Sequence, residues 1–210
     1  MKIDVIDLRI NNLSSISRAF QLSAVPGDVG IVDDPKQLRP NSLLVLPGLG
    51  SFSSGVSALR RSGFYSAIQE KVSIGNPIVG ICLGMQLLGN NSEESEKAIG
   101  LGLIDGNTEL LTSNRKEKIP HIGWNEASIK NVGSSFNSLN SERDFYFVHS
   151  YHLVPKNTSD ILTETPFGDG SFTSAVLRSR VLGFQFHPEK SGSVGLELIK
   201  EVIHWAANET

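Results

Sequence analysis

Three short stretches of this 210-residue chain combine residue types that could carry out chemistry. The first is Gly80-Ile81-Cys82-Leu83-Gly84, which closes an apolar run and precedes the helix-compatible Met85-Gln86-Leu87-Leu88. A nucleophile with glycine at both second neighbours, on a tight strand-to-helix turn, has the geometry of a nucleophile elbow. Such a turn leaves no room for larger neighbours and strains the nucleophile's own backbone. A helix starting there presents free N–H groups and a positive dipole end, which favour a thiolate and can hold an oxyanion. Taken alone, the pentapeptide fits a buried structural cysteine equally well.

A thiol nucleophile needs a base. Of the five histidines, His187 ends an apolar run from Val181 to Phe186 and is followed by Pro188 and Glu189. A carboxylate two residues on, with proline stiffening the link, can orient an imidazole. Cys82, His187 and Glu189 would then be nucleophile, general base and orienter, although a single histidine is more often a satisfied surface or core residue. The third stretch, Leu46-Pro47-Gly48-Leu49-Gly50, is a turn after a buried strand. Backbone N–H groups there and at Leu83 could serve a tetrahedral oxyanion. Without a Lys-Ser/Thr ending the turn resembles no phosphate cradle, and by itself it is simply a turn.

The elements that must bring these stretches together are legible in outline. Residues 2–6, 43–46 and 77–81 read as buried strands bounded by Pro and Gly, and residues 13–23 and 53–72 carry apolar spacings near 3.6. That alternation builds a parallel sheet covered by helices, whose loops converge at the carboxyl ends of the strands. The second half has strand-like pieces at 100–111, 145–148, 171–177 and 181–186, expected as antiparallel additions to the same sheet. An amphipathic helix from about 193 to 207, with Val194, Leu198, Ile199, Val202, Ile203 and Ala206 on one stripe, is expected to seal the core. With no repeat and no linker-like tract, residues 1–210 read as a single domain.

Composition narrows the functional classes. Nineteen Lys plus Arg against 22 Asp plus Glu give a net charge of -3, which disfavours nucleic acid, since phosphate neutralisation needs a concentrated basic surplus. The longest basic run, Arg115-Lys116-Glu117-Lys118, already contains a carboxylate. The single cysteine excludes an internal disulfide, and Asp4 and Asp7 interrupt what would be the apolar part of a signal peptide. No apolar run is long enough to span a membrane, so a cytoplasmic setting is expected. The histidines and the cysteine lack the paired spacings of a zinc site, so neither metal nor organic cofactor is expected.

Taken together, Pro47-Gly-Leu-Gly50, Gly80-Ile-Cys-Leu-Gly-Met-Gln-Leu-Leu88 and Phe184-Gln-Phe-His-Pro-Glu-Lys-Ser-Gly192, in that order, resemble the triad-type (class I) glutamine amidotransferases. These enzymes hydrolyse glutamine and pass the ammonia to a synthase. Within that family the chain is most similar to the glutaminase subunits of imidazole glycerol phosphate synthases. That likeness is carried by Ile119-Pro-His-Ile-Gly-Trp-Asn125, Phe145-Tyr-Phe-Val-His-Ser-Tyr151 and the ending at Gly192. The resemblance covers nearly the whole chain.

It implies a three-layer α/β fold with a mixed, mostly parallel central sheet, and it implies Cys82, His187 and Glu189 as the triad. The oxyanion hole falls to the backbone near Gly48, Leu49 and Gly50 plus Leu83. Gln86, His149, Ser150 and Tyr151 become the groups holding glutamine, and Lys190 and Tyr146 the face toward a (β/α)₈-barrel synthase. The stretch from Pro120 to Asn125 reads as a loop, and His152 stands where the family more often has a second aromatic residue. One departure concerns the turn after the first strand. The family usually has a Tyr-Gly-x-Gly-Asn-Leu-like turn there, whereas this chain has Leu8-Arg9-Ile10-Asn11-Asn12-Leu13. That leaves open a glutaminase paralogue serving a sugar-amidating enzyme of surface polysaccharide synthesis, and, more remotely, a non-catalytic scaffolding subunit.

Overall fold

The computed structural model describes residues 1–9, 13–95, 97–112, 117–130, 136–139 and 143–208. The basic residues Arg115 and Lys116, and Ile10 to Asn12 of the divergent turn, lie outside the described residues.

The first half runs β1 (Ile3–Ile6), α1 (Leu13–Ser23), β2 (Val29–Val32), β3 (Leu43–Gly48), α2 (Phe52–Ser62), α3 (Phe64–Ser73), β4 (Ile78–Cys82) and α4 (Leu83–Leu87). The helical pattern at 53–72 is two helices rather than one. Gly63 has φ 81° and ends α2 with its N–H on the Arg60 carbonyl, which a residue with a side chain adopts only at a cost. Strand β2 escapes sequence patterning because it is four residues long, contains a glycine and is mostly half-exposed at the sheet edge.

The second half runs β5 (Asn91–Ser92), β6 (Gly106–Leu110), β7 (His121–Glu126), β8 (Ser128–Ile129), β9 (Asp144–His149), β10 (Tyr151–Pro155), β11 (Ile161–Phe167), β12 (Gly170–Arg178), β13 (Val181–Phe184) and α5 (Gly192–Asn208). Among the described residues, eight strands form the main sheet in the order β2-β1-β3-β4-β13-β12-β11-β8. The first five are mutually parallel, and β12, β11 and β8 extend the sheet antiparallel. The expectation that all later strands join this sheet is corrected. Strands β10, β6 and β5 form a separate sheet, and β7 pairs with β9 as a two-stranded ribbon. The strand-like piece at 100–111 shrinks to β6, and the expected loop from Pro120 to Asn125 is mostly β7.

Alternation along the central strands explains the three layers. Leu43 and Val45 face the core shared with Ile16, Phe20, Leu198 and Val202, while Leu44 and Leu46 face the one shared with Val56, Leu59 and Ile68. Successive strand residues point to opposite faces, so a strand buried on both sides must be apolar throughout. Helix α5 buries Leu198, Ile199, Val202 and Ala206 as its pattern requires, with Trp205 added.

The register fixes where chemistry can occur. Gly48 lies opposite Cys82 on neighbouring parallel strands, and Phe184 lies opposite Ile81. The ends of β3, β4 and β13 therefore share one carboxyl edge. Each of the three stretches singled out by residue type begins there.

Candidate active site

Strand β4 passes into α4 with no linking residue, and the junction is Cys82 itself. Its backbone, φ 56° and ψ −113°, is strained for a residue with a side chain. A Cβ at Gly84 would come within 1.9 Å of the Leu46 carbonyl oxygen, and one at Gly80 within 2.5 Å of the Gly84 carbonyl oxygen. The two glycines of the elbow are thus demanded by the close passage of α4 over β3 and β4. Together they hold the cysteine on the sheet edge.

Cys82 is only 6% exposed, and its sulfur lies 3.9 Å from the Val148 carbonyl oxygen and 3.8 Å from Gln185 Nε2. Across from it, His187 Nδ1–H donates to Glu189 Oε1 at 2.7 Å, with both side chains almost wholly buried. That bond selects the tautomer and leaves Nε2 for the thiol, since a carboxylate only accepts. No well-formed hydrogen bond reaches Nε2 among the described residues. Burial disfavours the charged ring, but Cys82 and Glu189 outweigh it and raise the His187 pKa to about 9. The backbone is fixed as well: His187 N–H donates to the Tyr146 carbonyl at 2.9 Å, and Ser191 Oγ–H to the His187 carbonyl at 2.7 Å. A single 3₁₀ turn over Pro188–Lys190 returns Glu189 to the ring.

A cavity of about 270 Å³ opens over the sulfur, just below the volumes usual for drug-sized ligands, as suits a smaller molecule. Of the residues expected around glutamine or its oxyanion, Leu49, Gly50, Cys82, Leu83, Gln86, His149, Ser150 and Tyr151 line it. Gly48 sits at the strand end beside Cys82. Sequence reading missed three neighbours of this space. Val148 contributes a carbonyl, and Gln185 is fully buried against the sulfur. Glu94 places a carboxylate on the rim, accepting the Phe52 N–H at 2.6 Å where α2 begins. No motif marks Glu94, which stands in the polar run Asn91-Ser-Glu-Glu-Ser95.

The far wall is a polar chain with a fixed direction. Tyr151's carbonyl accepts from Gln86 Nε2 at 2.8 Å and from His149 Nδ1–H at 2.9 Å. His149 Nε2 must then be the acceptor, so His121 Nδ1–H donates to it at 3.2 Å, and His121 Nε2 accepts from Asn125 Nδ2 at 3.3 Å. Both ring nitrogens of His149 are therefore engaged within the protein, and the side chain braces the wall. Burial holds these rings neutral: it drives the His149 pKa to about 3 and lowers that of His121. His152, lowered by burial to about 4, packs edge-on to Phe172 with ring centres 5.7 Å apart.

Lys190 and Tyr146 adjoin each other beside His187, with Lys190 Nζ 5.6 Å from the Tyr146 ring centre and Trp124 5.9 Å from the same ring. On β7, Ile122 and Trp124 point outward, 60% and 56% exposed, while His121 and Asn125 are half-buried on the other face.

The sequence profile of the family described as "Glutamine amidotransferase class-I" matches residues 4–204. The chain is 39% identical to "Imidazole glycerol phosphate synthase subunit HisH 2" of Pseudomonas aeruginosa over 95% of its own length and 97% of that protein. It is 37% identical to "Imidazole glycerol phosphate synthase subunit HisH" of Moorella thermoacetica over 98% of its length and 97% of the relative. Among solved structures, one titled as a glutamine amidotransferase superposes with a TM-score of 0.74 at 16% identity, covering 98% of this chain and 99% of the other. At that identity the superposition speaks for the fold.

Proposed function

This chain belongs to the class-I glutamine amidotransferase family, and from that premise we propose that it is the glutaminase subunit of an imidazole glycerol phosphate synthase. The observation that carries the reading is the Cys82 elbow beside a His187 ring bonded to Glu189, at the floor of a cavity sized for one amino acid.

With a proton held on His187 Nε2, as its raised pKa favours, the sulfur attacks the side-chain carboxamide carbon of glutamine. The resulting oxyanion is held by backbone N–H groups of Leu83 and of the Gly48 to Gly50 turn. The imidazolium then protonates the departing nitrogen, the C–N bond breaks, and ammonia leaves a thioester on Cys82. A water that gives a proton to the same ring attacks the thioester, releasing glutamate and restoring the thiol. Glu189 keeps Nδ1 protonated throughout and offsets the ring's positive charge. Gln86, Ser150 and Tyr151 position the amino-acid end of glutamine, and Glu94 is suited to its ammonium group.

The ammonia is delivered to a (β/α)₈-barrel cyclase that yields imidazole glycerol phosphate and an aminoimidazole carboxamide ribotide. Lys190, Tyr146 and Trp124 belong to the face that meets it. Assaying glutamine hydrolysis with and without the barrel and its ribulosyl ligand tests this; equal rates in the two conditions overturn partner control.

One observation favours a second acceptor. The divergent turn begins at the same carboxyl edge, where Arg9, with φ 58°, is exposed and paired with Asp33. Formation of product with a sugar-amidating partner, and none with the cyclase, would select the paralogue reading.

A further inference from the structure

Gln185 is wholly buried, two residues before the catalytic histidine, and its side chain touches the nucleophile. We propose that Gln185 is a further catalytic residue, whose amide N–H donates to the Cys82 sulfur and stabilises its thiolate against the adjacent Val148 carbonyl.

The direction of the amide follows from its neighbours. Tyr151's backbone oxygen only accepts, so Gln86 presents Nε2 to it. The second N–H on that nitrogen reaches Gln185 Oε1 at 3.1 Å. Gln185 must therefore turn its oxygen toward Gln86 and its Nε2 toward Cys82 Sγ, 3.8 Å away. The reversed amide would set a carbonyl against sulfur and an N–H against an N–H. His149 Nδ1–H fills the remaining site on the Tyr151 carbonyl, which is thus the common acceptor that fixes His149, His121 and Asn125 on one side and Gln86 and Gln185 on the other. The Val148 carbonyl, 3.9 Å from Sγ, accepts from a thiol and repels a thiolate. The Gln185 donor has the opposite preference and is the stronger partner once the sulfur is charged.

The meaning of this assignment rests on the glutaminase reading, but its test does not need glutamine. Among the described residues, the titratable groups facing the sulfur are His187, with Glu189 behind it, and Glu94, His149 and Tyr151 across the cavity. All of these stay unchanged in the variants Gln185→Met and Gln86→Met. Alkylation of Cys82 by iodoacetamide is followed at pH 7 and pH 10, with thermal melts to show that each variant is folded. Gln185→Met is expected to slow alkylation about tenfold at pH 7 and by less at pH 10, where alkali drives loss of the thiol proton in wild type and variant alike. Gln86→Met, which frees the Gln185 amide to turn, is expected to give a smaller deficit in the same direction. Unchanged alkylation in folded Gln185→Met overturns the assignment, as does a deficit of equal size at both pH values, which would indicate altered packing. If Gln185→Met does not fold, an unchanged rate in Gln86→Met overturns it instead. If the wild-type chain shows no glutamine turnover while Gln185→Met still shows the pH-dependent deficit, the glutaminase reading is defeated and this one stands.

Discussion

The two walls of the cavity are built by different means. The wall carrying Cys82 is local: β4, the elbow and α4 are contiguous in sequence, and backbone contact at Gly80 and Gly84 enforces their geometry. The wall carrying His149, backed by His121 and Asn125, is assembled across β7 and β9, a backbone-paired ribbon outside the main sheet, and its side chains are tied to one another by hydrogen bonds. Steric enforcement is close to all-or-none, because two backbones cannot share a position. A hydrogen-bonded brace is graded, since each bond contributes about 1 kcal/mol. Under the proposed glutaminase reading, the first wall holds the nucleophile that makes and breaks bonds, and the second the groups that locate the substrate.

The sharpest way to break this division is at the sulfur. Replacing Cys82 by Ala is expected to lower glutamine turnover by at least about 10⁴-fold, because no other group can form the thioester. A steady-state glutaminase assay of the cyclase complex measures it, and activity within tenfold of wild type would end the covalent mechanism. On the same wall, Gly84→Ala puts a methyl group 1.9 Å from the Leu46 carbonyl oxygen. The helix must move or the strand must bend. The expected outcome is loss of the folded protein or a thermal midpoint at least about 10 °C lower, read by circular dichroism.

This contrast also explains what sequence alone could reveal. The elbow, the Gly48 to Gly50 turn and the His187-Pro-Glu189 link are each confined to a few consecutive residues, so residue type and spacing carry their geometry. The parallel core strands were legible for a related reason: β3 and β4 are apolar on both faces and read as continuous runs. The second wall was not legible in this way. In β7 the inward-facing positions are His121, Gly123 and Asn125, polar or bare, while Ile122 and Trp124 point outward, so the usual pattern is inverted and the segment resembles a loop. Gln185 escaped for another reason. In the apolar run it looks like an outward-facing strand residue, and only the pairing of β13 with β4 places it against Cys82.

The link between the walls is the imidazole of His187, and Glu189→Gln probes it. The amide can donate where the carboxylate accepts, so the ring no longer keeps its tautomer, and turnover is expected to fall by about 10²- to 10⁴-fold. A pH signature accompanies the loss. The folded-state pKa of His187 is raised to about 9, above the ordinary value, so protonation of the ring stabilises the fold below the ordinary pKa and that contribution is lost as pH rises through about 9. Thermal melts of the wild type should therefore decline across the alkaline limb, and those of Glu189→Gln should decline less. Parallel curves for the two proteins would show that the carboxylate does not hold the ring's charge.

On the second wall the effects should be smaller and fall on binding. His121→Phe keeps a ring among Phe147, Phe167 and Phe172 but removes the donor to His149 Nε2. The Michaelis constant for glutamine is expected to rise about tenfold while kcat stays within about threefold, because the brace holds the Tyr151 carbonyl and leaves the triad untouched. A fall in kcat with unchanged KM would erase the distinction between the walls.

The smallest effect is also thermodynamic, and its sign is opposite to that at His187. Burial lowers the His149 pKa to about 3, so in the folded chain the ring stays neutral while in the unfolded chain it takes up a proton below about pH 6.5. Stability contributed by keeping this ring neutral is complete above the unfolded value and drains away as pH falls toward 3. His152, lowered to about 4, acts in the same direction, and His121 adds to it. Between pH 7 and pH 5 the wild-type midpoint should therefore drop, and His149→Phe, which cannot take up the proton, should drop by about 5 °C less. The two limbs would then be separable within one protein. The alkaline limb belongs to the His187 imidazole and responds to Glu189→Gln, while the acid limb belongs to the His149 wall and responds to His149→Phe. If either substitution moved both limbs, the two walls would have to be treated as one cooperative unit.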